Sequence, residues 1–238
     1  MKNVPACIGL TRPDGETGYG GVIEMLLNRW LDRLDRKLGR YAIRNLMTVI
    51  VTGMAAVYVL DVLSPVGVSY YLAFSKAAIL HGQIWRLVTF IFIPPDSSML
   101  FIIFALYFYW LAGSALENQW GSFKFNVYYL CGMIGTILSG WITGYATNSY
   151  LNLSLFLAFA LLYPDFQVNL FFFLPVKIKY LAMLDAAGLL LSFIVGTMAS
   201  RLALAMALIN VAIFFGGDLI SRIKNMYRRY KWKKAFRQ

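Results

Sequence analysis

The stretch Ser98-Met-Leu-Phe-Ile-Ile-Phe-Ala-Leu-Tyr-Phe-Tyr-Trp-Leu-Ala-Gly113-Ser-Ala-Leu-Glu117-Asn-Gln-Trp-Gly121-Ser122 decides the class of fold. From Ser98 to Leu116 it carries no charged side chain, and a helix needs about 17–25 such residues to cross the hydrocarbon of a bilayer. Gly113, Glu117 and Gly121 follow at four-residue steps, so they share one helix face on which a neighbouring backbone can approach closely. A carboxylate at the end of a span is costly unless it is hydrogen-bonded. Glu117 is therefore expected to cap or tie the loop around Ser122–Lys124.

Five further apolar runs lie outward from this one: Asn45–Leu63, Asn126–Tyr145, Ser149–Tyr163, Lys179–Val195 and Leu202–Gly216. Six spans are predicted, with four as the competing count; the fourth and sixth are short. Composition agrees. The 238 residues are 60% hydrophobic and 14% charged, with a mean hydropathy of +0.64. Soluble domains carry roughly 45–50% apolar and about 25% charged residues. The expected organisation is a cytoplasmic segment over residues 1–44, one membrane domain over 45–217 and a basic tail over 218–238.

The net charge of +11 is concentrated at the two ends. Arg29, Arg33, Arg36, Lys37, Arg40 and Arg44 precede the first run; Arg222, Lys224, Arg228, Arg229, Lys231, Lys233, Lys234 and Arg237 follow the last. Basic clusters beside spans mark the cytoplasmic face and attract anionic lipid headgroups. Both termini are therefore expected in the cytoplasm, with anionic lipid as a partner and no nucleic acid. Leu27, Trp30, Leu31, Leu34, Leu38 and Tyr41 recur at three- and four-residue steps among the bases, the pattern of an amphipathic helix lying in the interface. The alternative is a partner helix. Cys7 and Cys131 are the only cysteines and define neither a disulfide framework nor a metal site; no cofactor is expected. The N-terminus shows no secretory signal peptide.

Between the first two spans, residues 64–97 hold Tyr70, Tyr71, Phe74, Ile79, Trp85, Leu87 and Phe90. So apolar a connection lies on or in the membrane, where backbone groups must be paired, and short helices are expected. Residues 164–178, bounded by Pro164 and near Pro175, read as a small hairpin or an interfacial loop.

Three motifs in order resemble the rhomboid-like superfamily: Trp85-Arg86 in the first loop, Gly113-x-x-x-Glu117-x-x-x-Gly121 at the end of the second span, and the run from Leu161 to Tyr180 containing Tyr163-Pro164. The resemblance covers roughly residues 45–217. It implies an all-α, rhomboid-like bundle of six transmembrane helices preceded by the amphipathic interfacial helix. It makes Trp85, Arg86, Gly113, Glu117 and Gly121 structural motif residues. Arg86 and Glu117 are expected at opposite faces, unpaired with each other.

Active rhomboids use a serine on span four within Gly-x-Ser-Gly and a histidine on span six, with a histidine and an asparagine on span two. Here the only histidine is His81, in the first loop. The oxyanion-side positions of span two fall near Phe101 and Ala105, which cannot donate a hydrogen bond. Ser149, in Thr147-Asn148-Ser149-Tyr150, stands where the nucleophile belongs but lacks both glycines and a nearby base. It is a weak catalytic candidate, and as the first residue of a helix it reads as an N-cap. Ser154 is expected to bond along or between helices. Asp185, an acid inside a span, is expected to pair with Lys179 or Lys124.

The resemblance implies a pseudoprotease: a non-catalytic membrane protein binding transmembrane segments of clients, in membrane-protein quality control or trafficking. The alternatives are an intramembrane serine protease with a non-standard active site and a small transporter. Localisation is integral membrane, in the plasma membrane if the source is bacterial.

Overall fold

A computed structural model describes residues 31–215 except 65, 97 and 171–173. Residues 31–38 are helical (α1) and run into a 3-10 turn, Gly39–Tyr41. This is the end of the expected amphipathic helix; its earlier residues, like the basic tail, lie outside the described residues. Leu31 is buried, while Arg33, Arg36 and Lys37 on the same helix are exposed.

Among the described residues, five helices are long and apolar enough to span a membrane: α2 Leu46–Leu63, α6 Met99–Trp120, α7 Ser122–Thr143, α9 Ile178–Val195 and α10 Met198–Phe215. The sixth expected span is α8, Ser149–Leu162, with 14 residues. At 1.5 Å per residue it covers about 21 Å, short of a hydrocarbon thickness near 30 Å. Its sequence is apolar all round because it stands inside the bundle, where Leu151, Leu155, Ala158 and Phe159 are almost fully buried. A helix wrapped by protein need not match the lipid thickness. Periodicity placed this segment correctly and could not show that it is enclosed.

The connection from α2 to α6 contains three short helices: α3 Val68–Leu72, α4 Lys76–Leu80 and α5 Arg86–Thr89, the last continuing as a 3-10 turn, Phe90–Phe92. A two-residue strand β1, Phe74–Ser75, pairs antiparallel with β2, Tyr145–Ala146, fastening this connection to the end of α7. That contact explains Gly140, where a Cβ would stand 2.7 Å from both the Ala146 Cβ and the Phe74 ring. Residues 164–178 form a hairpin: β3 Gln167–Leu170 pairs with β4 Leu174–Lys177 in the register Gln167↔Lys177 and Val168↔Val176.

Asp32 in α1 makes an ion pair with Lys124 at the start of α7, at 2.8 Å. Phe215, closing α10, packs on Trp120 at the end of α6, ring centroids 5.0 Å apart. Both ends of the described chain therefore meet the α6–α7 turn, on one end of the bundle. Inside, the Tyr128 hydroxyl of α7 donates to Ser154 Oγ at 3.2 Å, and Ser154 Oγ donates to the Leu151 carbonyl at 2.7 Å. Ser154 thus bonds both along and between helices.

Candidate functional site

The Gly113–Glu117–Gly121 stripe forms the first polar cluster. A Cβ on Gly113 would run into the side chain of Met47, so α2 and α6 meet here at a distance only glycine permits. One turn on, Glu117 is buried and its Oε1 accepts two hydrogen bonds, from the Asn45 N–H at 2.8 Å and the Ser122 hydroxyl at 2.6 Å. Asn45 is the residue before α2 and Ser122 the first of α7. One carboxylate therefore stands at the positive ends of two helices, a favourable place for negative charge. Gly121, at φ +84°, turns the chain between α6 and α7. Asn45 is left-handed at φ 54°, a conformation that asparagine tolerates better than most residues.

The second cluster, at the opposite end of the bundle, is built on Arg86. Arg86 is 5% exposed, with Nη1 donating to the carbonyls of Tyr70 (2.8 Å) and Ala73 (2.6 Å) and Nε to Gln83 Oε1 (2.6 Å). The carbonyls belong to the C-terminal end of α3, the negative pole of a helix. Thr89 Oγ1 donates to Leu72 O at 3.0 Å beside them. Trp85 is half-exposed, at 52%. Asp61, near the end of α2, accepts from both the backbone N–H and the hydroxyl of Ser69. Asn148, buried at the start of α8, donates through Nδ2 to the carbonyls of Ile91 (3.1 Å) and Ile93 (2.7 Å). Glu117 and Arg86 thus engage separate partners.

Asn148, and not Ser149, is the residue that precedes α8, and it spends its side chain on the first loop instead of capping the helix. Ser149 is exposed and is the first residue of α8. It opens onto a cavity of about 450 Å³ bounded by α6, α8 and α9, lined also by Phe108, Tyr109, Asn152, Leu184 and Asp185. His81 closes α4 on the surface and is not among the lining residues.

Asp185 differs from expectation. Lys179 pairs with Asp165 at 3.2 Å and Lys124 with Asp32 at 2.8 Å. The Asp185 Oδ2 is buried with no hydrogen-bond partner among the described residues, in the middle of α9 and facing the cavity. The reason is positional. Lys179 sits at the first turn of α9, whereas Asp185 lies about 10 Å further along at 1.5 Å per residue. Asn152, only 2% exposed, shares a side-chain hydrogen bond with Tyr109 and leaves its Oδ1 unpartnered.

Asn45, Asp61, Asn148 and Asn152 escaped the sequence reading. Each was visible as a polar residue within or beside an apolar run, the signal that singled out Asp185, but the partners of Asn45, Asp61 and Asn148 are 8 to 72 residues away in the chain.

Among the described residues, five helices long and apolar enough to cross a membrane, a buried sixth and hydrogen-bonded polar clusters at both ends define a multi-pass integral membrane protein. Residues 44–152 match the family model described as eukaryotic integral membrane protein (DUF1751). That similarity runs from the start of α2 to the first turn of α8. It includes Trp85, Arg86, Gly113, Glu117, Gly121 and Asn148, and stops short of Asp185. The description is eukaryotic, which leaves the bacterial plasma membrane without support. No curated protein matches the chain.

Proposed function

We propose that this is a rhomboid-like membrane protein that binds transmembrane segments of other proteins without cleaving them. The observation that carries the reading is the cavity between α6, α8 and α9. It lies beside α9, whose spanning window is only 6% buried, and its lining includes Leu184, 73% exposed. A helix arriving through the lipid would meet this opening from the side. The two lining acceptors without partners, on Asn152 and Asp185, give it polar chemistry at membrane depth, where unpaired groups are costly.

The protease alternative needs a base for Ser149. No histidine is among the residues that line the cavity with Ser149, and the one histidine stands on the surface of α4. A serine without such a partner is a poor nucleophile at neutral pH. Client binding fits quality control or trafficking, and the exposed Arg33, Arg36 and Lys37 of α1 fit anionic headgroups. The orientation goes with these bases. Arg33, Arg36, Lys37 and Lys124 crowd one end of the bundle, with Lys177 and Lys179 at the hairpin before α9, so that end and both termini are assigned to the cytoplasm.

Purified protein in liposomes should capture a photoreactive single-pass helix, leave it uncut, and resist serine-directed fluorophosphonates. Cleavage or labelling that disappears in Ser149→Ala and persists in Ser154→Ala would overturn the reading.

A further inference from the structure

Resting on the client-binding reading, we infer that the cavity between α6, α8 and α9 selects transmembrane helices carrying a basic side chain, lysine or arginine, at the depth of Asp185. The argument begins from unmet hydrogen-bonding capacity. Asn152 is 2% exposed and lines the cavity, and its Oδ1 has no partner. The carboxylate oxygen Oδ2 of Asp185, on the facing helix α9, is likewise buried and without a partner. Both are acceptors, and one belongs to an acid.

Among the described residues, the nearby cations are engaged elsewhere. Lys179 is taken up by Asp165 and Lys124 by Asp32. Arg86 is committed to the carbonyls of Tyr70 and Ala73, and Arg201 donates through Nη2 to the Ile194 carbonyl at the end of α9. By contrast, Glu117 has two donors and Asp61 has two. Asp185 is the exception, and it faces a volume of about 450 Å³ whose mouth includes the exposed Leu184. A carboxylate at membrane depth is stable with a cationic partner. A lysine or arginine on an incoming helix can reach it along an apolar stem, with Asn152 Oδ1 taking a second N–H. The ring faces of Phe104 and Phe108 in the same lining suit that stem.

The test places a photoreactive residue at Leu184 in the full-length protein, reconstituted in liposomes. It offers four single-pass helices identical but for one mid-membrane position: Leu, Gln, Lys or Asp. The Lys helix should crosslink about five- to tenfold more than the Leu helix, the range expected for a polar contact between membrane helices, with Gln between them and Asp lowest. Asp185→Asn, which keeps shape and acceptor but removes charge, should bring Lys down to the level of Gln. The thermal unfolding midpoint of the variant, measured beside the parent, shows that it is folded. Equal capture of Lys and Leu helices, a Lys preference that survives Asp185→Asn, or a preference for Asp would overturn the basic-client inference while leaving client binding standing. Capture of none of the four would overturn the client-binding reading itself.

Discussion

Replacing Glu117 by alanine should be among the most damaging single changes to stability in the described membrane domain, because one oxygen holds the starts of two spans. Glu117 Oε1 accepts from the Asn45 N–H at 2.8 Å and from Ser122 Oγ at 2.6 Å. The hydroxyl can rotate toward another acceptor, but the Asn45 N–H is fixed by a left-handed backbone at φ 54°. An orphaned buried donor costs about 1–3 kcal/mol, and removing a negative charge from two helix N-termini costs about 0.3–1 kcal/mol at each. A loss of about 2–4 kcal/mol follows, or about 5–12 °C in midpoint for a chain of this size. Glu117→Gln keeps an acceptor and loses only charge, so it should fall by about a third as much. The assay is thermal unfolding in a mild detergent at one scan rate, since membrane proteins commonly unfold irreversibly. A double-mutant cycle with Ser122→Ala should give less than the sum of the two single losses, because both act on one bond. Parental melting of Glu117→Ala would refute the reasoning, and so would strict additivity with Ser122→Ala.

Arg86→Lys should destabilise nearly as much as Arg86→Ala, since an ammonium cannot reproduce the fork spanning Tyr70, Ala73 and Gln83; the loss should add to that of Glu117→Ala in melting experiments, the two sites being separate. Asn148→Ala should release the carbonyls of Ile91 and Ile93 at about 1–3 kcal/mol, read as faster hydrogen exchange or proteolysis over residues 90–96 with α9 unaffected. Gly113→Val should lower the midpoint by overpacking against Met47, about 1–3 kcal/mol, while Ser149→Ala, at an exposed site, should leave it unchanged.

How much of this was legible in the sequence depends on the range of the physics involved. Apolar length fixed the spans to within a few residues: Ser98–Leu116 was expected where Met99–Trp120 is found, and Asn126–Tyr145 where Ser122–Thr143 is found. The discrepancy at the α6–α7 turn arises because Glu117, Asn118, Gln119 and Lys124 look like loop. They remain helical because Gly121 alone makes the turn and Glu117 closes it. The four-residue spacing of Gly113, Glu117 and Gly121 was readable, but its principal partner was not: Asn45 lies 72 residues away from Glu117. Asp185 failed for the converse reason. A place near the cytoplasmic end of the fifth span made an ion pair with Lys179 or Lys124 plausible, and the hairpin and α1 brought those lysines their own acids.

The placement of paired and unpaired polar groups separates two kinds of requirement. At each end of the bundle, where helices begin or stop and backbone groups would be orphaned, a charged side chain supplies the missing partner: Glu117 for the starts of α2 and α7, Arg86 for the end of α3. These groups are spent on the fold. Between α6, α8 and α9 the reverse holds, for Asn152 and Asp185 keep acceptors without partners among the described residues beside a cavity. If packing alone governed that region, leucine at either position would do better, since apolar replacement of a buried polar group with unmet bonds is neutral or stabilising. Asp185→Leu should therefore raise the melting midpoint of the isolated protein and, in the same preparation, weaken capture of a lysine-bearing helix. A variant that was instead destabilised would mean that Asp185 serves the fold, through a partner contributed by the tail or the N-terminal segment, and the cavity would lose its claim to a client.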